Sequence, residues 1–160
     1  MKTENIKINV ENFGAIEAEL YPETAPVSVE NFLKLVDKGF YNGLTFHRVI
    51  EGFMIQGGCP YGTGSGDSGE NIKGEFAKNG VKNSLKHNRG VLSMARASDY
   101  DSASCQFFIM HADSPHLDGL YAAFGKVTDG IDVVDAIAES SVDMNDRPHN
   151  TITINSIERI

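Results

Sequence analysis

Residues 46–58 read Phe46-His47-Arg48-Val49-Ile50-Glu51-Gly52-Phe53-Met54-Ile55-Gln56-Gly57-Gly58. Two strand-length apolar runs, Leu44–Ile50 and Phe53–Gln56, meet at a turn around Gly52. Arg48 lies in an otherwise apolar strand, and alternation puts it on the same side as Phe46 and Ile50. Its charge must therefore leave at a barrel edge or be paired, because an isolated charge in apolar surroundings is too costly. The plain reading is a surface arginine. The sharper one is a functional cation beside an apolar wall, Phe53 and Met54, with one amide, Gln56.

Similar short runs recur outward from this stretch, at Val91–Ala95, Gln106–Met110 and Ala122–Val127, each bounded by turn residues. Ile6, Ile8 and Val10 alternate with polar residues, Glu11-Asn12-Phe13-Gly14 carries turn chemistry, and Ile16, Ala18 and Leu20 alternate again, which predicts a hairpin. Residues 152–157 alternate as a last strand. A helix is expected over 26–38. Pro26 suits its first position, Glu30 lies near the favourable end of the dipole, and Val29, Phe32, Leu33 and Val36 form one apolar stripe. A second, short helix follows Gly130, with Ile131, Val134, Ala136, Ile137 and Ala138. Many short strands with two helices predict a mainly β fold, a closed antiparallel barrel. A length of 160 residues predicts a single domain over 1–160. Residues 57–89 show little periodicity, and a loop that long in a compact domain is usually functional.

Composition excludes several classes. With 22 acidic and 14 basic residues the net charge is −8, which disfavours nucleic acid and anionic membranes, since both need a dense basic face. No apolar run is long enough to span a bilayer and no signal peptide opens the sequence. Two cysteines, Cys59 and Cys105, fit a reducing cytoplasm and carry no sign of a reactive thiolate. The run Gly62-Thr63-Gly64-Ser65-Gly66 lacks the Gly-Lys-Ser/Thr ending of a phosphate-binding loop, and Gly64-Ser65-Gly66 does not sit on a strand end as a hydrolase serine would. His111 to His116 has a metal-like composition but no ligand spacing, so no metal and no cofactor are expected.

The stretch at 46–58 resembles the signature of the cyclophilins, the peptidyl-prolyl isomerases. Leu92-Ser93-Met94-Ala95, Gln106-Phe107-Phe108-Ile109, Leu117-Asp118-Gly119 and Phe124-Gly125-Lys126-Val127 resemble further family motifs in the family's order. The resemblance covers nearly the whole chain. It implies an eight-stranded antiparallel β-barrel capped by two α-helices. It also implies a catalytic role for Arg48, a proline pocket of Phe53, Met54, Phe108 and Leu117, and polar groups beside it at Gln56 and Gln106. Ala95 and Arg96 would bind the peptide backbone, with Gly64 in a glycine-rich loop beside the groove.

Departures from the family pattern matter. His116 stands where well-known members have Trp, which implies weakened cyclosporin binding. Tyr121 replaces a frequent histidine and can still stack on proline. Arg96 replaces a common Asn and would shift peptide register or favour acidic substrates. Glu51 replaces a usual Pro, and Cys105 a usual Ser. The implied substrates are proline-containing peptides and unfolded proteins, and the implied state is a monomer. A non-catalytic proline-peptide receptor or holdase on the same scaffold is the alternative, motivated by His116, Tyr121 and Arg96. Rotation about an X–Pro amide breaks no bond, so no nucleophile, metal or redox group is required.

Overall fold

The computed structural model describes residues 2–160. Eight strands, β1 (Glu4–Val10), β2 (Gly14–Leu20), β3 (Arg48–Ile50), β4 (Met54–Gly57), β5 (Val91–Met94), β6 (Phe107–Met110), β7 (Ala123–Asp129) and β8 (Ile154–Arg159), form one antiparallel sheet. Their order is β3-β4-β6-β5-β7-β2-β1-β8. Helices α1 (Pro26–Asp37) and α2 (Ile131–Ala138) complete the regular structure. The sheet curls into a barrel whose closure is looser than expected. No regular ladder joins β8 to β3. The seam is held instead by a bridge between Thr45 and Thr153 and by two backbone hydrogen bonds, Phe46 N–H to Ile152 O at 3.0 Å and Ile154 N–H to Leu44 O at 2.7 Å. Gly57 permits this seam to sit against β4. A Cβ there would lie 2.8 Å from the Thr45 carbonyl oxygen and 2.9 Å from the Phe46 ring.

Strand alternation sorts side chains onto two apolar clusters. On β6, Phe107 and Ile109 face inward while Phe108 and Met110 face outward. On β4, Ile55 faces inward and Met54 outward. The inner cluster is the barrel core, centred on Phe32 of α1, whose ring lies 5.1 Å from Tyr41 and 5.3 Å from both Phe107 and Phe124. Both faces of β5 and β6 are covered, so all their residues are buried; β6 reads in sequence as an unbroken apolar run and β5 as one interrupted by Ser93. The outer cluster is smaller, and the candidate site is built on it.

Alternation fails at one predicted place. Phe46 and Val49 both enter the core, whereas Arg48 is exposed. The regular strand begins only at Arg48, so the residues before it, held by the Thr45 bridge, do not share its pleat. Arg48 leaves the barrel at its terminal strand.

The α1 N-terminus corrects a second expectation. Glu30 lies beyond the first turn. The exposed N–H groups are met instead by Glu75, from the stretch without periodicity. Its carboxylate accepts from Val27 N at 3.2 Å, Ser28 N at 2.6 Å and Ser28 Oγ at 2.7 Å. Glu75 is only 4% exposed, and a carboxylate at a helix N-terminus is favoured by both hydrogen bonding and the dipole.

Candidate active site

A cavity of about 540 Å³ opens on the outer face of β3, β4, β6 and β5. Its apolar floor comes from Phe53, Met54, Phe108, Leu117 and Tyr121, and Arg48 stands at one side. Arg48 and Gln56 face each other across the β3–β4 pair, which brings Arg48 Nη1 to 3.2 Å from Gln56 Oε1. Gln56 Nε2 donates to Gln106 Oε1 at 2.9 Å, and Gln106 Nε2 donates to the carbonyls of Gly64 and Gly66 at 2.9 and 3.0 Å. Carbonyls only accept, so the relay has one direction. It turns each amide to present its oxygen toward the next donor and ends on the guanidinium. That single bond occupies one of the five N–H donors of Arg48.

The glycine loop that terminates the relay is itself held. Gly64 N–H and Gly66 N–H donate to Cys59 Sγ at 3.3 and 3.2 Å. Burial raises the Cys59 thiol pKa, but hydrogen bonds from the backbone of Gly66, Tyr61, Thr63 and Gly64 outweigh it and the net shift is downward. Cys105 behaves oppositely, with burial pushing its thiol up to about 11.

Beneath the floor lies a buried polar chain. Asp118 Oδ1 accepts from His87 N at 2.6 Å and lies 3.0 Å from His87 Nδ1, while His87 Nε2 is 2.9 Å from Ser93 Oγ. Nδ1–H donates to the Asp118 carboxylate, which leaves Nε2 to accept from the serine hydroxyl. The order Ser–His–Asp suggests a nucleophile, but Ser93 is fully buried and the His87 ring stacks on Phe108 with centroids 6.1 Å apart. The chain is a base that fixes Phe108. Burial lowers the His87 pKa despite the opposing Asp118 carboxylate, so the ring is neutral near neutral pH.

Arg96 also differs from expectation. Its Nε and Nη2 donate to Leu120 O at 3.2 and 2.6 Å, and its Nη1 donates to Ala97 O at 3.0 Å. The guanidinium is caged by Phe76, Tyr100 and Tyr121, with ring centroids at 5.0, 5.0 and 4.5 Å. A cation so occupied does not select acidic substrates. It braces Tyr121, whose ring meets Phe108 edge-on at 5.8 Å.

The sequence matches the family model "Cyclophilin type peptidyl-prolyl cis-trans isomerase/CLD" over residues 5–159. The chain belongs to the cyclophilin family. It is 50% identical over 133 residues to peptidyl-prolyl cis-trans isomerase B of Bacillus subtilis, covering 83% of this chain and 90% of that protein. It is also 50% identical over 133 residues to a peptidyl-prolyl cis-trans isomerase of Helicobacter pylori, covering 82% and 78%. A crystal structure of a Cryptosporidium parvum cyclophilin type peptidyl-prolyl cis-trans isomerase superposes with a TM-score of 0.91 at 33% identity, covering 99% of this chain and 98% of that one. A second such structure, in the presence of the dipeptide Ala-Pro, gives 0.89 at 35% identity, covering 98% of each chain.

Among the residues that the cyclophilin resemblance singled out, Arg48, Phe53, Met54, Gln56, Gly64, Ala95, Arg96, Phe108, Leu117 and Tyr121 line one cavity. Gln106 lines the adjoining hollow and connects through the relay. His116 is exposed on the rim, its ring 5.8 Å from that of Phe53. Sequence reasoning missed His47, Asn145 and Arg147, which also line the cavity. His47 is 6% exposed and neither ring nitrogen has a protein hydrogen-bond partner. Burial, then the charges of Arg147 and Arg48, lower its pKa to about 4. A histidine beside a cation in an apolar strand was the available signal. Arg147 carried none, because it lies in a segment without periodicity.

Proposed function

We propose that this chain catalyses cis-trans isomerisation about X–Pro bonds of flexible or unfolded polypeptides. One observation carries the reading: a guanidinium with most of its donors unused stands beside an apolar floor that fits a proline ring. On twisting, the amide loses resonance, its nitrogen becomes pyramidal and a lone pair returns. Arg48 donates to that lone pair and to the prolyl carbonyl, so it favours the twisted amide over both planar forms. The Gln56–Gln106 relay keeps the guanidinium facing the floor. Phe53, Met54, Phe108 and Leu117 exclude water, which strengthens the bond from Arg48. Ala95 and Arg96 hold the chain on one side of the proline while the other side rotates.

Magnitudes divide the work. The uncatalysed barrier is about 18–20 kcal/mol. A charge-assisted hydrogen bond contributes roughly 1.5–3 kcal/mol, or about ten- to a hundredfold in rate. Desolvation and anchoring supply the remainder. The substitutions that favoured a non-catalytic receptor, His116, Tyr121 and Arg96, leave the Arg48–Gln56 pair intact. His116 on the rim offers less aromatic surface than an indole, which supports weak cyclosporin binding. Two buried free thiols support our placement in a reducing, cytoplasmic setting.

The test is NMR exchange of an Ala-Pro peptide with wild type and Arg48→Ala. Acceleration by wild type and its loss in the variant are expected; equal rates would reject the catalytic role of Arg48, and no acceleration by either would reject the activity.

A further inference from the structure

The cavity lining contains three arginines, Arg48, Arg96 and Arg147, and no Asp or Glu, although the chain carries a net charge of −8. None of the ion pairs among the described residues involves any of the three. Arg96 is consumed by its cage and by two backbone carbonyls. Arg48 and Arg147 are not, and both lie close enough to His47 for their charges to act on it. The Arg147 loop carries two carboxylates, Asp143 and Asp146, and neither forms an ion pair with Arg147; Asp143 Oδ1 accepts from the backbone N–H groups of Asn145 and Arg147 at 2.8 and 3.1 Å. The cation-rich side of the cavity is therefore a local reversal of the molecule's overall sign.

Its place relative to a bound peptide follows from the sheet. Val49 N–H donates to Asp146 O at 2.8 Å, which fastens the 143–147 loop to the outer edge of β3. The order across the mouth is then this loop, Arg48 on β3, Gln56 on β4, Phe108 on β6, and Ala95–Arg96 at the end of β5. A peptide held upstream of its proline by Ala95–Arg96, with its prolyl carbonyl on Arg48, runs onward toward Arg147. The loop is closed by the Asp143 N–H to Arg147 O bond at 2.9 Å and followed by the buried Pro148, so the arginine is presented by ordered backbone.

We infer that Arg147, together with Arg48, forms a subsite for the carboxylate of an Asp or Glu one or two residues after the proline, and that Arg147 determines this preference. The inference rests on the proposed function, because the peptide's direction depends on placing the prolyl carbonyl on Arg48. His47 lines the same side of the cavity as the two arginines, with both of its ring nitrogens buried.

The experiment uses blocked peptides with amidated C-termini, Ala-Pro-Xaa-Ala and Ala-Pro-Ala-Xaa, where Xaa is Glu, Gln or Lys. NMR exchange gives kcat/KM and titration gives Kd for each. At low salt, wild type is expected to prefer Glu over Gln by about three- to fivefold in at least one of the two series, the range of a partly exposed ion pair, and to disfavour Lys. The preference shrinks as salt is raised. Reading ratios within each variant cancels any general loss. Arg147→Gln is expected to bring the Glu/Gln ratio to about one, and Arg147→Glu to invert the order of Glu and Lys. A wild-type ratio of one in both series, or a preference unchanged in Arg147→Gln, overturns the inference while leaving the isomerase reading intact. Absence of exchange on every peptide overturns the isomerase reading instead, and the Kd ratios then decide the subsite on their own.

Discussion

Phe107 and Phe108 are neighbours on one strand with the same side chain, yet they belong to different regions of the molecule. Phe107 is sealed in the barrel, edge-on to both Phe32 and Tyr41. Phe108 points the other way and lies 5% exposed at the cavity floor. The pleat alone separates them. The inner cluster is covered on every side and yields stability; the outer one is covered from below by His87 and left open above, and yields a place for a ring. Removing Phe107 and Phe108 in turn gives the largest expected contrast. Phe107→Ala should cost about 3–5 kcal/mol in denaturant unfolding, because the cavity left behind cannot collapse. Phe108→Ala should cost roughly 2 kcal/mol, since water can enter, while lowering kcat/KM for an Ala-Pro peptide more than any stability change explains. Comparable stability losses with unchanged kcat/KM for Phe108→Ala would erase the distinction.

Glu75 sharpens the contrast from the inner side. It caps α1 and touches nothing in the cavity. Glu75→Ala should destabilise by about 2–3 kcal/mol, leaving the Ser28 N–H without its partner, with kcat/KM preserved in the folded fraction. Arg96 does so from the outer side. Arg96→Lys retains the charge but loses the fork that grips Leu120 O and the flat face that stacks on Tyr121. A stability loss of about 1–2 kcal/mol is expected, with KM raised more than kcat is lowered; a neutral substitution would show that the cage is incidental.

The last contrast is a pH slope. His47 has a folded pKa of about 4 against an ordinary value of 6.5, so the unfolded chain binds this proton first as pH falls. Stability should therefore decline from about pH 6.5 toward 4, and His47→Gln should flatten that part of the curve. His87, also lowered, adds to the slope in the same direction. Identical curves for wild type and variant would place His47 elsewhere in the energetics.

What could be read beforehand follows the same division. Period-two alternation, short apolar runs between turn residues and the apolar stripe of α1 located the strands and first helix, and Arg48, Gln56 and Phe108 on those strands, with Gln106 just before β6, were found with the help of family motifs. Glu75, His87 and Arg147 were not. Each sits in a stretch with no periodicity, and the residue it acts on lies far along the chain: Ser28 for Glu75, Asp118 for His87, His47 for Arg147. Their placement is set by closure of the barrel, which no local pattern encodes. Phe46 shows the reverse error. Alternation was extended past the strand's true start, because nothing in the sequence marks the Thr45–Thr153 bridge that ends the pleat.

The central claim is that a planar, multi-donor guanidinium, and not merely a positive charge, stabilises the twisted amide. Arg48→Lys isolates that difference. Arg48 is exposed, so the substitution should leave thermal stability unchanged. NMR exchange of an Ala-Pro peptide is expected to show a loss of about tenfold or more in kcat/KM, the lower end of one charge-assisted hydrogen bond. A lysine variant that exchanges the peptide at the wild-type rate would contradict the account.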